Sequence, residues 1–539
     1  MLNRNTDIAG GAPPAAMTGT PAPGRARGRL PVAALVALAC WAAALGALLL
    51  IFQAGHPVQG HLVHSDALYL PVLFDDVLTR GGSLSDWFLT PAPYFFPDML
   101  VYLPAWLGGN SAFQQTLLFA LLQAVLASGA LYFLARQALP RERMPAAALL
   151  GIVFVWLGLH ADDPFVRLFS SAHHYGAFIV ALVLAALWLG RDAGRGALTG
   201  KPGAAALAAL GLLTTLSDAL FLVQAVLPLL AAALLYRHDA PQASSPRRAL
   251  LLLFLPALLG MLSYKLVVAH PTRYSSRLGL SRLTDNLAEL GKIGATLFGE
   301  RPLLAATVAL ALALGMVCIG AALRKRPLPG LTRPLQLLAA FATLSCAATL
   351  AVMLLSTTVL PVARYLISAL SLPLIAGVFA LAHLLGQRFR YPGVALCLVF
   401  TGLLAADAWK ARAQDDSASY YYTERIACVD RVLAAAAARH GIAQYWDAKH
   451  LQGLSRSQLT LAQYTPELEP MKWITSERFF RPAYDFAIIA NGAAGEFRLP
   501  VARLIAFNGE PAQTAQCGDL TVLVYATGTL RVPAAAPGK

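Results

Sequence analysis

Runs of about 20 apolar residues recur from residue 31 almost to residue 409 of this 539-residue chain. Wound as a helix, such a run covers the roughly 30 Å hydrocarbon core of a bilayer. Eleven spans are predicted, near 31–53, 112–135, 146–160, 174–190, 203–217, 219–236, 249–269, 303–323, 335–356, 360–385 and 391–409. Only 13% of the residues are charged, about half the share of a soluble domain. The pattern predicts a polytopic α-helical membrane protein.

Charge orients the threading. Arg136, Arg141 and Arg143; Arg191, Arg195 and Lys201; Arg237, Arg247 and Arg248; Arg324, Lys325, Arg326 and Arg333; and Arg388 and Arg390 fall in alternate short loops. The positive-inside bias puts those loops in the cytoplasm, and with them the N-terminus. The formal charge of +14 is thereby explained without nucleic acid. An odd number of spans leaves the C-terminal region extracytoplasmic. Residues 1–30, rich in Ala, Pro and Gly and closing on Arg25, Arg27 and Arg29, read as a disordered cytoplasmic tail.

Past Trp409 the composition turns more polar, and residues 410–539 read as a small extracytoplasmic α/β domain on the 31–409 membrane domain. "CVDRVLAAAAARHG" predicts a helix with Gly441 as its C-cap. "AQYWD", "YDFAIIANG", "RLIAF" and "LTVLVYA" predict strands. Asp447 is the residue to watch there. Cys40, Cys318, Cys346 and Cys397 lie inside apolar runs and read as small hydrophobes. Cys428 and Cys517 lie outside them, and pair in one disulfide if their region is extracytoplasmic.

The candidate chemistry gathers on the outer side. "HSDALYLPVLFDDVLTRGGSLSDWFLTPAPYFFPDML" opens the first outer loop. A helix over 66–79 puts Tyr69 near Asp66, at the mouth of the bundle where partial desolvation tunes a carboxylate. Asp75 and Asp76 read as the solvated face of that helix. The Pro-punctuated aromatic turn that follows reads as an interfacial belt, which leaves Asp98 in an apolar run and in need of a partner or a cavity. The second outer loop, "HADDPFVRLFSSAHH", adds Asp162, Asp163, His173 and His174, a set able to act as base and orienting group. Asp218 sits in a short hairpin on the same side, and Arg364 and Tyr365 open a late span there. "HPTRYSSRLGLSRL" carries Arg273, Arg277 and Arg282 outside, against the charge bias. They serve either an interfacial helix at the lipid headgroups or a phosphate, which guanidinium forks bind in a bidentate way.

In order, "SDALY", "LSDWF", "PYFFPDML", "DDPFVRLFSSAHHYGA" and "ARYLISALSLP" resemble the GT-C superfamily of integral-membrane glycosyltransferases over roughly residues 31–409. The likeness is to the group that includes the lipid A aminoarabinose transferase and the protein O-mannosyltransferases. Asp66 matches the first acidic residue of the family's first loop, whereas Ala67 stands where a second is usual. The resemblance implies transfer of a hexose or pentose from a polyprenyl-phosphate-linked donor to a lipid, glycan or protein of the cell envelope. It further implies a multi-pass inner-membrane location and an inverting mechanism. Asp66, with Asp162 and Asp163, then supplies the base, and Arg273 and Arg364 clamp the lipid phosphate, with Asp98, His173, His174, Asp218 and Tyr365 binding substrate. No residue is assigned to a metal; the cofactor stays open between none and a divalent ion, since adjacent histidines alone do not make a site. The competing readings are a transporter or flippase for lipid-linked glycans, an assembly scaffold, and an O-antigen-type polymerase or ligase. Transporters often carry internal repeats and polar groups near the midplane, and neither stands out here.

Overall fold

The computed structural model describes residues 31–239, 244–271, 277–414, 421–492 and 497–533. The expected tail over 1–30 and Arg273 lie outside the described residues. Among the described residues, eight helical segments are long and apolar enough to cross a membrane: Val32–Ala54, Ala112–Ala138, Arg143–His160, Tyr175–Asp192, Pro246–Val267, Pro302–Leu323, Arg333–Leu355 and Ala363–Gln414. The last is a run of 52 residues. It turns at Gly386, whose φ of +52° suits glycine, and so comprises two helices, Ile367–Leu385 and Arg390–Gln414. Lys201–Ser217 and the run over Leu222–Leu235 are shorter, and the chain between them is extended at Asp218.

Proline placement explains several helix starts. Pro202, Pro246, Pro302 and Pro334 stand at the first or second helical position, where an amide N–H would have no intrahelical partner. Small residues then set the closest approaches. A Cβ on Gly260 would collide with the Leu212 carbonyl, and one on Gly315 with Thr343. Such contacts matter in lipid, where apolar burial drives no association between helices. Tyr175–Asp192 runs through the middle of the bundle, covered almost throughout, whereas Pro246–Val267 and Pro302–Leu323 form the rim. They display Leu262, Leu266, Leu303 and Leu310.

The two sets of loops separate. At one end Arg333 holds Asp192 at 2.7 Å and the Tyr236 carbonyl, and Arg195 holds Gln137 at 2.8 Å. At the other lie the first outer loop, the Arg301–His160 contact and the C-terminal region.

That region is built on a five-stranded sheet in the order β3-β2-β5-β7-β6. Its strands are β2 (His440–Ala443), β3 (Thr460–Gln463), β5 (Phe486–Ala490), β6 (Gln513–Cys517) and β7 (Leu520–Val524). β2 runs parallel to both neighbours, and the β5–β7 and β7–β6 pairs are antiparallel. Every residue of β5 is buried, as befits a central strand covered on both faces. A two-residue antiparallel pair, β1 (Trp87–Phe88) with β4 (Thr475–Ser476), straps the first outer loop to this region. Cys428, on the Glu424–Ala435 helix, is disulfide-bonded to Cys517 of β6, with the Cα atoms 5.5 Å apart.

Three local expectations change. The Glu424–Ala435 helix ends before Ala437, which takes a left-handed φ of +48°. Gly441 is in β2 instead, and the ring of Phe486 occupies the space its side chain would need. "AQYWD" splits: β2 ends at Ala443, and Gln444 caps a helix over Tyr445–Leu454 by accepting the Trp446 amide at 2.8 Å. "RLIAF" lies in a helix over Val501–Asn508, which starts after Pro500. Both short apolar runs lack a decisive period, and only the packing separates helix from strand. Asp76 also departs from the solvated face. It is buried, accepting from Trp87 Nε1 at 2.8 Å and pairing with Arg478 at 3.4 Å.

Candidate active site

Beyond the first span the chain makes a 3₁₀ turn over Pro57–His61, and a second turn follows at His64. The His64 ring accepts the amides of Asp66 and Ala67 at 3.2 and 3.3 Å, a local hydrogen-bonded turn that aims Asp66. Ser65 donates to the Tyr445 and Trp446 carbonyls, 2.8 Å each, fastening this turn to the Tyr445–Leu454 helix. The Tyr69–Leu78 helix begins only after Asp66. Asp66 itself is half-buried; one oxygen accepts the Tyr445 hydroxyl, and the other faces Arg364 at 3.4 Å.

Asp66 stands in the wall of a cavity of about 600 Å³. His173, His174, Asp218, Arg364 and Tyr365 line the same cavity, with Leu222, Met261, Val352 and Met353 as its apolar side. The lining thus combines charged and polar side chains with apolar ones. Arg364 gives only Nη1 to Asp66, which leaves further N–H groups of this cavity-lining side chain for an anion.

His174 and Asp218 form a buried pair at 2.6 Å, and the Tyr94 hydroxyl lies 3.3 Å from the other ring nitrogen. Ser217 anchors this group by accepting the amides of Phe96 and Tyr94 at 2.7 and 3.3 Å. Asp98 lies behind the wall and accepts the Ala172 amide at 3.0 Å. Burial pushes its carboxyl up to about 6, with the Ala172 amide pulling the other way. A Cβ on Gly176 would collide with this carboxylate, so the Tyr175–Asp192 helix carries glycine at its second position.

The second outer loop divides. Asp163 holds Arg167 through two bonds of 2.5 and 2.8 Å, and buried Arg167 reaches His64 at 3.2 Å. Asp163 thus orients the wall from behind. Asp162 is 82% exposed, faces His61 at 3.6 Å and does not join the cavity. Of the arginines beyond His270, the Arg277 carbonyl accepts the Thr357 amide at 2.9 Å beside the cavity-lining Leu278. The helix of that loop is Leu283–Gly299 and follows the arginines.

His64, Asp66 and His173 each offer one donor atom, all within 4.8 Å of one another. Burial, helped by Arg167, pushes His64 down to about 4 and His173 well below its ordinary value, so both are neutral. Two imidazoles and a carboxylate suit a divalent transition metal. Yet Arg364 and Tyr445 already engage Asp66, and Arg167 faces His64. A cation would compete there with two guanidinium groups, so the residues do not form a dedicated metal cage.

Sequence reasoning did not find Tyr445 or Lys449. Buried Lys449 packs its Nζ 4.3 Å from the Tyr445 ring and donates to Gln463 at 3.0 Å. Asp447, the residue singled out in that segment, instead accepts from Gln444 and lies 3.9 Å from Arg425. Tyr445 falls in a stretch that reads as a strand, and nothing in the sequence points to its meeting with Asp66.

No protein-family model matches the chain, and no curated protein matches it in sequence. Among solved structures, ArnT from Cupriavidus metallidurans in the apo state is similar over 92% of this chain and 98% of that chain, at 14% identity and a TM-score of 0.50. The same protein bound to undecaprenyl phosphate aligns over 92% of this chain and 99% of its own, at 14% identity and a TM-score of 0.48. The likeness to the apo form shows the fold. The chain has a GT-C-like fold.

Proposed function

We propose that this chain is an inverting membrane glycosyltransferase that moves a hexose or pentose from a polyprenyl-phosphate-linked donor to an envelope lipid, glycan or protein. The observation that carries the reading is the meeting of Asp66 and Arg364 in one cavity whose lining is both charged and apolar. Arg364 pairs with Asp66 at 3.4 Å. When the donor phosphate enters, the guanidinium turns to it, and the carboxylate is released to act as a base.

In the transfer step the acceptor nucleophile gives its proton to Asp66 and attacks the anomeric carbon from the face opposite the phosphate. The new glycosidic bond forms as the carbon–oxygen bond to phosphate breaks. The electron pair leaves with the phosphate, where Arg364 stabilises it. The His174–Asp218 pair and Tyr94 orient the sugar, while Leu222, Met261 and Val352 meet the first prenyl units. Among the site residues of the resemblance, Asp163 and Asp98 support the wall, and Asp162 has no part in the step.

The protein works in the inner membrane with its N-terminus cytoplasmic and its sheet region outside, a reading supported by the loop charges and by the disulfide. Alkaline phosphatase fused at the C-terminus is then active, and in the Arg324–Arg326 loop silent.

The function is tested by mass spectrometry of envelope glycans. A deletion strain loses one sugar substituent, regained with the wild-type gene and not with Asp66→Asn. An unchanged glycan profile in the deletion strain contradicts the proposal.

A further inference from the structure

A second cavity, of about 300 Å³, lies outside the active site, between the Tyr69–Leu78 helix and the N-terminal ends of β2 and β3. Arg80, Arg439, Arg478 and Arg481 converge on it from three separate stretches of the chain. Two are committed. Arg80 binds Asp75 at 2.6 Å and the Leu459 carbonyl at 3.2 Å, and Arg478 binds Asp76 at 3.4 Å. The guanidinium groups of Arg439 and Arg481 have no hydrogen-bond or ion-pair partner among the described residues. Asp76, the one carboxylate in the lining, is already shared by Trp87 and Arg478. Gathering like charges costs free energy unless an anion joins them.

We propose that this cavity is a second anion site, which anchors a phosphate monoester on the acceptor while another part of the same molecule lies at Asp66. The assignment to an acceptor rests on the glycosyltransferase reading; the anion site does not. Two unengaged guanidinium groups match the dianion in charge and in their forked geometry, with the Thr460 hydroxyl in the same lining.

The location favours the acceptor. The Tyr69–Leu78 helix reaches both sites, with Tyr69 on the active-site cavity and Asp76 on the arginine cavity. Seven residues of helix separate these two by about 10 Å. The segment after Trp473 does the same, as Ile474 lines one cavity and Phe479 the other. Between them stands Trp87, its ring 6.2 Å from Tyr69 and 5.9 Å from Phe479. The two sites are thus held at a fixed separation by one aromatic wall. The apolar side of the active-site cavity suits the donor's lipid, whereas the lining of the second cavity is mainly charged and polar.

The test is a ³¹P NMR titration of the full-length protein with inorganic phosphate at fixed ionic strength. An Arg364→Gln background removes the phosphate partner of the active-site cavity. In phosphatidylcholine nanodiscs that background is expected to bind phosphate, and adding Arg439→Gln with Arg481→Gln weakens binding at least ~10-fold, the scale of a lost charged hydrogen bond. Equal binding with and without the two substitutions overturns the anion site, as does no binding in either. If phosphatidylglycerol nanodiscs abolish phosphate binding, a lipid headgroup is the occupant and the acceptor assignment is overturned. Phosphate binding without any sugar transfer by the wild type contradicts the proposed function and leaves the anion site standing.

Discussion

The hydroxyl of Tyr445 donates to the carboxylate of Asp66 across 379 residues of sequence, and it brings the C-terminal region into the wall of the membrane cavity. Tyr445→Phe removes that donor and keeps the ring that packs over Lys449. The backbone anchor from Ser65 to the Tyr445 carbonyl survives as well. With Asp66 less well aimed, kcat is expected to fall about 10-fold while KM and thermal stability hardly move, less than the ~10²-fold or more that loss of the base itself costs. An unchanged kcat would show that the contact does not act on the reaction.

Lys449 links this contact to pH. Burial pushes its ammonium down to about 7, with Asp66 pulling the other way, whereas an unfolded lysine titrates near 10.4. Between those values the unfolded chain binds more protons than the folded one, so this residue makes stability rise with pH from about 7 to about 10. Lys449→Met removes the dependence. Its melting temperature relative to wild type is expected to be higher at pH 7 than at pH 10. A difference that is the same at both values contradicts a buried, easily deprotonated amine.

Asp75 and Asp76 are neighbours with opposite roles. Asp76→Ala strips buried Trp87 Nε1 and Arg478 of their shared acceptor, and is expected to destabilise the outer region by about 1–3 kcal/mol. Asp75→Ala loses a half-exposed pair with Arg80 and is expected to cost under about 1 kcal/mol. Thermal unfolding followed by Trp fluorescence distinguishes the two, and equal losses would contradict the buried strap.

The Cys428–Cys517 bond closes a loop of sequence separation 89. Constraining such a loop in the unfolded chain stabilises the folded state by about 4.6 kcal/mol in the chain-entropy model. A Cys428→Ser, Cys517→Ser pair is expected to unfold at markedly lower temperature. The wild-type cysteines resist thiol labelling until reduced. Labelling of either one in the untreated protein contradicts the bond.

The membrane bundle was legible because span length and loop charge are local quantities, written within about 20 residues. The cavity was legible in part. Asp66, His173, His174, Asp218, Arg364 and Tyr365 stood out as polar residues at the outer ends of apolar runs, and the fold gathers them. Asp162 and Asp163 look alike in sequence; Arg167, one turn onward, captures Asp163 and leaves Asp162 in water. Tyr445 carried no signal, since nothing local says that an outer helix will rest on the first loop. The same holds for Asp76, whose burial depends on Trp87 and on Arg478, 402 residues away. In the sheet region, Gly441 and "RLIAF" were misread because short apolar stretches take helix or strand according to what covers them.

The central claim is that Asp66 is the acceptor-activating base beside a phosphate-binding Arg364. It is tested most directly by sugar transfer from a polyprenyl-phosphate-linked donor, with purified wild type and Asp66→Asn at matched folding and insertion. Asn keeps the shape and much of the hydrogen bonding with Tyr445 but takes no proton. The variant is expected to lose at least ~10²-fold in transfer rate, the scale of a lost general base, while donor binding persists. Arg364→Ala is expected instead to raise the donor KM. Wild-type transfer rates in Asp66→Asn would contradict the account.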